Sequence, residues 1–154
     1  NVPEGVVFAG VQLDGSILTM QLDIISQLKV FLLSLPLVCT IANIMLSNNI
    51  CDLETDITNH RYTLVYYIGK KQALVLYQVL YGVAFGAMVL AVLFGVAPWT
   101  LLGVLVVGVP VYKHIQQFKA HQEKKTTFAL AIKNMVMIHS LQAVLLFVAI
   151  LFFN

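Results

Sequence analysis

Charged residues are scarce in this sequence, with 9 lysines and arginines and 7 acidic residues among 154. Soluble domains carry about 25% charged residues, whereas this chain carries 10% and is 60% hydrophobic. Its mean hydropathy is +0.89. A soluble domain of this size leaves about a third of its unfolded-chain surface in water, which is too much for so apolar a composition. The composition therefore excludes a soluble protein and indicates a lipid environment.

Cysteines and clustered basic residues are also few. Cys39 and Cys51 show no metal-binding spacing, and we interpret them as structural thiols rather than as a disulfide framework. The net charge is only +2, and no basic stripe with interleaved aromatic residues occurs, so nothing indicates a nucleic-acid partner. The chain begins with Asn1 and has no basic stretch typical of a signal peptide. It opens as though cut from something longer.

Long apolar runs, in contrast, dominate the sequence. They predict an all-α, multi-spanning membrane helical bundle formed by one domain. We place the spans at about residues 6–22, 29–48, 72–96, 99–113 and 127–153. The first is the weakest, because Gln12, Asp14 and Gly15 interrupt it, and it could be a partly exposed or truncated helix.

Prolines and small residues add detail to the spans. Pro36 predicts a kink in the second span, and Pro110 is expected to close the fourth. Gly82, Gly86 and Ala87 in the third span predict a close approach of a neighbouring helix.

Lysine and arginine positions predict the topology. Two spans separate the two loops that are rich in these residues, so both loops face the same side, and by the positive-inside rule that side is the cytoplasm. The intervening turn, 96–99, has no charge. We therefore expect a multi-pass protein of the plasma membrane. The loop residues are Arg61, Lys70, Lys71, Lys113, Lys119, Lys124 and Lys125.

A polar segment follows the second span. If the helix persists through it, Asn48, Asp52 and Asp56 lie at i, i+4 and i+8 on one face, and Asn49 joins them, whereas Glu54 points elsewhere. Carboxylate and amide oxygens suit Mg²⁺, which takes one or two carboxylates together with phosphate oxygens and water. We predict Asp52 and Asp56 as catalytic metal ligands, and Asn48 and Asn49 as residues that bind the diphosphate of a substrate. The alternative is a solvated helix end whose acids are balanced by local lysines.

Basic residues near this segment could neutralise a diphosphate. Arg61, Lys70 and Lys71 follow the acidic pair in the same polar segment, and Arg61 could make bidentate contacts with a phosphate. Lys133 lies inside the last span, where a cation usually faces the bundle interior, and it could approach the same diphosphate. Snorkelling to the membrane boundary explains Lys133 equally well. His139 favours a hydrogen bond between helices over a role as a base.

The segment Asn-Asn-x-x-Asp-x-x-x-Asp, followed by Arg61 and Thr63-Leu64, resembles the second aspartate-rich motif of the UbiA superfamily of intramembrane prenyltransferases. It is most similar to the dihydroxynaphthoate prenyltransferases of menaquinone synthesis. His60 stands where that family has glycine, Tyr62 replaces its second basic residue, and Cys51 stands where Arg is frequent. The substitution at position 60 predicts a stiffer loop, and that at position 62 predicts one phosphate contact fewer.

The resemblance implies a nine-helix bundle with two aspartate-rich motifs, of which this sequence shows one, since Asp14 and Asp23 do not form the other. Residues 1–154 therefore look like the C-terminal part of the domain, with half of an active site and an N-terminal half missing. The implied activity is the Mg²⁺-dependent transfer of a polyprenyl group from a polyprenyl diphosphate to an aromatic acceptor. The resemblance to the naphthoate enzymes implies that this acceptor is 1,4-dihydroxy-2-naphthoate. Two alternatives stay open: 4-hydroxybenzoate or another phenol as acceptor, or a non-enzymatic bundle such as a transporter half or an assembly partner.

Overall fold

The computed structural model describes residues 9–152. Its order of elements is strand β1 (Ala9–Asp14), strand β2 (Ile17–Leu22), helix α1 (Ile24–Thr58), the short helix α2 (Leu64–Ile68) and helix α3 (Lys70–Leu93), then a 3-10 helix (Trp99–Val107), helix α4 (Gly108–Ala120) and helix α5 (Phe128–Phe152). Four helical stretches are long and apolar enough to cross a membrane: α1, α3, the 3-10 helix together with α4, and α5. The predicted all-α, multi-spanning bundle is confirmed.

The prediction of a helical first span is wrong for residues 9–22. β1 and β2 instead form an antiparallel hairpin in which Asp14 pairs with Ile17 across the turn Gly15–Ser16. Gly15 has a φ of 59°, a backbone conformation that suits glycine in a two-residue hairpin turn. The polar residues that seemed to interrupt a helix belong to this turn and to the strands beside it. The start of the predicted span, residues 6–8, lies outside the described residues.

Helix α1 is longer than a membrane is thick. Its 35 residues extend about 52 Å, against about 30 Å for the hydrocarbon core. Asp23 caps its first turn, accepting hydrogen bonds from the Ile25 backbone N–H at 3.0 Å and from the Ser26 hydroxyl. The Ser26 bond lowers the pKa of the Asp23 carboxyl below its usual value. Because α1 is longer than the apolar layer and its acidic residues all lie in its last turns, we expect those turns to extend beyond the layer.

The fourth span continues past its predicted end at residue 113. Pro110 is the third residue of α4, and the helix runs on to Ala120. Proline is tolerated in the first turn of a helix, where its missing N–H removes little bonding. The predicted closure at Pro110 is therefore wrong, because the 3-10 helix passes into α4 at Gly108 and gives the proline a first-turn position.

The core lies where α3 packs along α1 and α5 packs on α1 and the 3-10 helix. Small side chains on α3 are buried there: Ala73, Ala84, Ala87 and Ala91. A Cβ atom added at Gly82 or Gly86 would meet nothing within 4 Å. The alanines thus provide the close approach of helices, and the two glycines do not contribute to it.

Polar side chains also join the helices. Asn134 of α5 is buried, and its Oδ1 atom is 2.6 Å from Nδ1 of His114 on α4. The Asn134 Nδ2 atom donates to the Tyr81 hydroxyl of α3 at 3.1 Å. The Thr40 hydroxyl of α1 is 2.8 Å from His139 Nε2 of α5. The predicted role of His139 in a bond between helices is confirmed.

We expect Asn134→Ala to lower the free energy of unfolding by about 1 to 2 kcal/mol, because it removes hydrogen bonds to two other helices at once. Lys133→Ala is the matched control: Lys133 is the preceding residue but is exposed, so its loss should cost less than about 0.5 kcal/mol. Unfolding of the purified chain in detergent, followed by circular dichroism, measures both. Equal effects of the two substitutions would contradict a bonding role for Asn134.

Candidate active site

The acidic segment belongs to the last turns of α1. Because α1 runs without interruption to Thr58, Asn48, Asp52 and Asp56 follow one another at single-turn spacing along one face. These three side chains and Asn49 are each half-buried. Glu54 is exposed and lies about 160° around the helix from Asp52. The helix therefore brings two carboxylates and two amides together, as the spacing predicted.

The acidic face is not the face that α1 buries in this bundle. Asn43 is fully buried, and its Nδ2 atom donates to the Tyr77 backbone carbonyl of α3 at 3.1 Å. Asp52 lies nine residues further on, two and a half turns, and so on the opposite side of the helix. Val38, Ile41 and Met45 lie on the same side of α1 as the acids, in the membrane-spanning part of the helix. They are 56%, 43% and 64% exposed. The acids thus continue an apolar stripe that no other described element covers fully.

A lysine from another loop reaches the acidic pair. Lys124 Nζ, in the connection between α4 and α5, donates to Asp52 Oδ2, and this is the ion pair that the structure shows within residues 9–152. The Asp52 side chain is 20% exposed and that of Lys124 is 55% exposed. This contact also shows that both lysine-rich loops lie at the same end of the bundle. We call that end, with loops 59–69 and 121–127, the polar end.

The turn after α1 holds Arg61 close to the acids. The Arg61 backbone N–H donates to the Asp56 carbonyl at 2.8 Å, and the His60 N–H donates to the Ile57 carbonyl at 3.0 Å. These two bonds form a Schellman motif, in which the residue after the helix C-cap adopts a left-handed backbone conformation. His60 occupies that position with a φ of 55°. A side chain is disfavoured there, which explains why glycine suits this position better.

The other predicted phosphate ligands differ in position. The charges of Lys70 and Lys124 both act on the Cys51 thiol, beside Asp52, so Lys70 lies within electrostatic range of the site. Arg61 and Lys70 are exposed. Lys133 is exposed on α5, where the adjacent Asn134 is the side chain that points into the bundle. The structure shows no contact between Lys133 and the acidic pair within its described residues.

Magnesium fits the donor set at the polar end. Within the part of the chain that the structure describes, no third histidine, cysteine or acidic residue joins Asp52 and Asp56 to complete a protein cage. Mg²⁺ prefers one or two carboxylates and completes its octahedron with water and phosphate oxygens. The pair, with the amides of Asn48 and Asn49, therefore suits Mg²⁺ that is shared with a phosphorylated substrate. It does not suit a metal that needs four protein ligands.

The sequence pattern did not predict Lys124 as a partner of Asp52, because the two residues are 72 positions apart. The only signal was their assignment to loops on one side of the membrane. The sequence pattern also did not predict that Asn134, His114 and Tyr81 form a hydrogen-bonded group. A buried amide inside an apolar helix was the available signal.

The fold and the site define a multi-pass membrane protein with a charged, magnesium-compatible site at the end of one long helix. Residues 4–141 match the family model described as the UbiA prenyltransferase family, and the chain belongs to that family. Membership implies a prenyltransferase of the kind that acts on aromatic substrates. No curated protein and no solved structure matches the chain.

Proposed function

We propose that this chain takes part in the Mg²⁺-dependent transfer of a polyprenyl group from a polyprenyl diphosphate to 1,4-dihydroxy-2-naphthoate, a step of menaquinone biosynthesis. The observation that carries the proposal is the half-buried face of Asn48, Asp52 and Asp56 at the point where α1 leaves the apolar layer. A diphosphate bound there would lie at the membrane boundary, and its prenyl chain would enter the bilayer along Val38, Ile41 and Met45.

The residues of the chain have separable roles in this proposal. Asp52 and Asp56 would hold Mg²⁺, which would supply charge stabilisation to the leaving diphosphate. Arg61, which follows Asp56 in the turn after α1, and Lys70 at the start of α3 would neutralise the remaining phosphate charge. Lys124 pairs with Asp52 in the free protein, and its side chain would move its ammonium group from Asp52 into contact with a diphosphate oxygen when the donor binds. Lys133, on the exposed side of α5, would reach the diphosphate only by extending toward the polar end.

The transfer of the prenyl group needs an electron-rich acceptor ring and a cavity from which water is excluded. The allylic carbon–oxygen bond breaks with its electron pair going to the diphosphate. The ring carbon forms the new carbon–carbon bond and loses a proton, or CO₂ where it carried the carboxylate, and the bonding pair of the lost group returns to the ring. Water must be excluded while the allylic cation exists. The apolar stripe of α1 would form one wall of that cavity. The opposite wall, together with the other aspartate-rich motif, would come from an N-terminal half of the domain.

We also propose that the polar end faces the cytoplasm and that the membrane is the plasma membrane. Six of the nine lysines and arginines lie in the two loops of the polar end or within two residues of them, whereas the turn at residues 94–98 has no charge. This asymmetry is typical of the cytoplasmic side.

A transfer assay in membranes that contain the whole protein tests the function. With a radiolabelled polyprenyl diphosphate and Mg²⁺, we expect product from 1,4-dihydroxy-2-naphthoate and at least about tenfold less from 4-hydroxybenzoate, because a missing or misplaced polar substituent leaves site groups unpaired. Chelation by EDTA should abolish transfer. Product from 4-hydroxybenzoate alone would reassign the acceptor within the family. Absence of donor binding in the presence of Mg²⁺ would favour a non-enzymatic bundle.

A further inference from the structure

A groove lies between α3 and α4, away from the acidic face of α1. α3 packs mainly along α1, whereas α4 packs on α5 and the 3-10 helix, and α3 meets α4 where the Tyr77 ring packs on the Phe118 ring, with centroids 4.8 Å apart. The gap between them has a volume of about 290 Å³. Its walls are chiefly apolar, with Phe85 and Val111 facing it, and Gly82 and Gly108 stand on its two sides. Both helices belong to membrane-crossing stretches, so the groove opens toward lipid.

The end of the groove nearest the polar end carries positive charge. Gln78 and Gln116 line it there, and Lys119 Nζ donates to Gln78 Oε1 at 3.2 Å. Lys71 precedes Gln78 by seven residues and so lies on the same face of α3, two turns closer to the polar end. Neither α3 nor α4 contains an acidic residue. The partner that the structure shows for Lys119 is a neutral amide, so the positive charge at this end is not compensated by either helix.

We propose that this groove binds an anionic phospholipid of the surrounding bilayer. One acyl chain would lie between Gly82 and Gly108, and the headgroup phosphate would contact Lys119, with Lys71 adding attraction from the next turns. The argument is charge complementarity: lysines at the membrane boundary, above an apolar groove between helices, recognise anionic headgroups. A zwitterionic lipid has the same chains but no net charge, so the lysines would give it little preference.

The glycines make the groove possible. A Cβ atom at Gly82 or Gly108 would meet nothing within 4 Å, so the space beside each is empty of protein atoms. Leucine is a better helix former than glycine, and Gly82→Leu would place a side chain into the groove without a clash at its Cβ. Gly86 is equally free of contacts at its Cβ but lines a different pocket, beside Leu35 and Leu90. Gly86→Leu is therefore a matched control.

Native mass spectrometry of the full chain in detergent tests the proposal, with equal amounts of phosphatidylglycerol and phosphatidylcholine that carry the same acyl chains. The wild type should retain phosphatidylglycerol in preference. Lys119→Gln should weaken that retention about fivefold, the effect expected of one lysine near a charged headgroup, and leave phosphatidylcholine unchanged. Gly82→Leu should reduce the retention of both lipids, and Gly86→Leu should not.

Lys113→Gln is the charge control, because Lys113 lies on α4 six residues before Lys119 and about 120° around the helix. Equal loss of phosphatidylglycerol in Lys113→Gln and Lys119→Gln would overturn the proposal, since it would reduce the effect to net charge. Displacement of bound phosphatidylglycerol by an equal concentration of a polyprenyl diphosphate without Mg²⁺ would also overturn it, by making the groove a site for the prenyl donor.

Discussion

Replacing Asp52 or Asp56 by asparagine should lower the rate of prenyl transfer in the complete enzyme by about 100- to 1,000-fold. Each substitution removes a charged ligand from the proposed Mg²⁺ site, and the charge stabilisation that a catalytic metal gives a transition state is worth several kcal/mol. Each 1.36 kcal/mol corresponds to a factor of ten in rate. The measurement is kcat/KM for the polyprenyl diphosphate at saturating acceptor and saturating Mg²⁺.

Glu54→Gln is the matched control, because it makes the same kind of charge loss two residues from each aspartate. Glu54 is exposed and off the acidic face, so its substitution should change the rate less than about twofold, the order of effect of an exposed charge. Thermal unfolding of all three variants should stay within about 1 kcal/mol of the wild type. A loss of activity in Glu54→Gln as large as in Asp52→Asn would refute the assignment of the face.

The ion pair with Lys124 gives this experiment a second readout. In Lys124→Gln the Asp52 carboxylate has no competing cation, so Mn²⁺ binding measured by electron paramagnetic resonance should tighten by about two- to fivefold, in the range of an exposed ion pair. The KM for the diphosphate should rise by a similar factor, because one neutralising charge is lost. Lys125→Gln, the neighbouring substitution, should shift neither. If Lys124→Gln strengthened or weakened the binding of both Mn²⁺ and the diphosphate, Lys124 would not alternate between Asp52 and the donor.

The acidic face was predictable because one assumption, a continuous helix from the second span to Asp56, is sufficient to align Asn48, Asp52 and Asp56. Helical periodicity is local information, and α1 has no glycine and only Pro36 to interrupt it. The lysine asymmetry was similarly sufficient to place both loops at one end. What the sequence could not show was the contact of Lys124 with Asp52, because that contact depends on how α4 and α5 are arranged in three dimensions.

One wrong expectation and one bonded group that was not predicted have physical causes. In the hairpin, Asp14-Gly15 between apolar residues is a strong turn signal, but the apolar content of the segment suggested a span. On α5, the charged residue of the apolar helix is Lys133, but the bonded side chain is that of its neighbour, because a step of one residue turns a side chain by about 100°. That step places Lys133 outside and Asn134 inside. The partners of a buried side chain, His114 and Tyr81 here, follow only from the packed structure.

The 154-residue chain, purified alone in detergent or lipid, should show no prenyl transfer, and activity should appear only when a partner supplies a second aspartate-rich motif. A diphosphate brings several negative charges to a low-dielectric boundary, where unpaired charge is costly. Asp52 and Asp56 can hold one Mg²⁺, so part of the leaving group's charge would lack a counterion. Arg61, Lys70 and Lys124 offset some of it, but these side chains lie in water-exposed loops, where screening weakens their effect.

The exposed side of α1 gives a geometric reason for the same expectation. Val38, Ile41 and Met45 continue the acidic face into the membrane, and they are largely uncovered in this chain. An allylic cation formed above them would be open to water and lipid unless further helices closed the cavity. The test supplies Mg²⁺, a polyprenyl diphosphate and 1,4-dihydroxy-2-naphthoate to the chain alone, and to the chain co-expressed with helices that carry an Asn- and Asp-rich motif. Binding of Mn²⁺ to the chain alone should persist, because Asp52 and Asp56 are both present. Robust turnover by the isolated chain would show that one motif is sufficient and that the exposed face of α1 needs no second half.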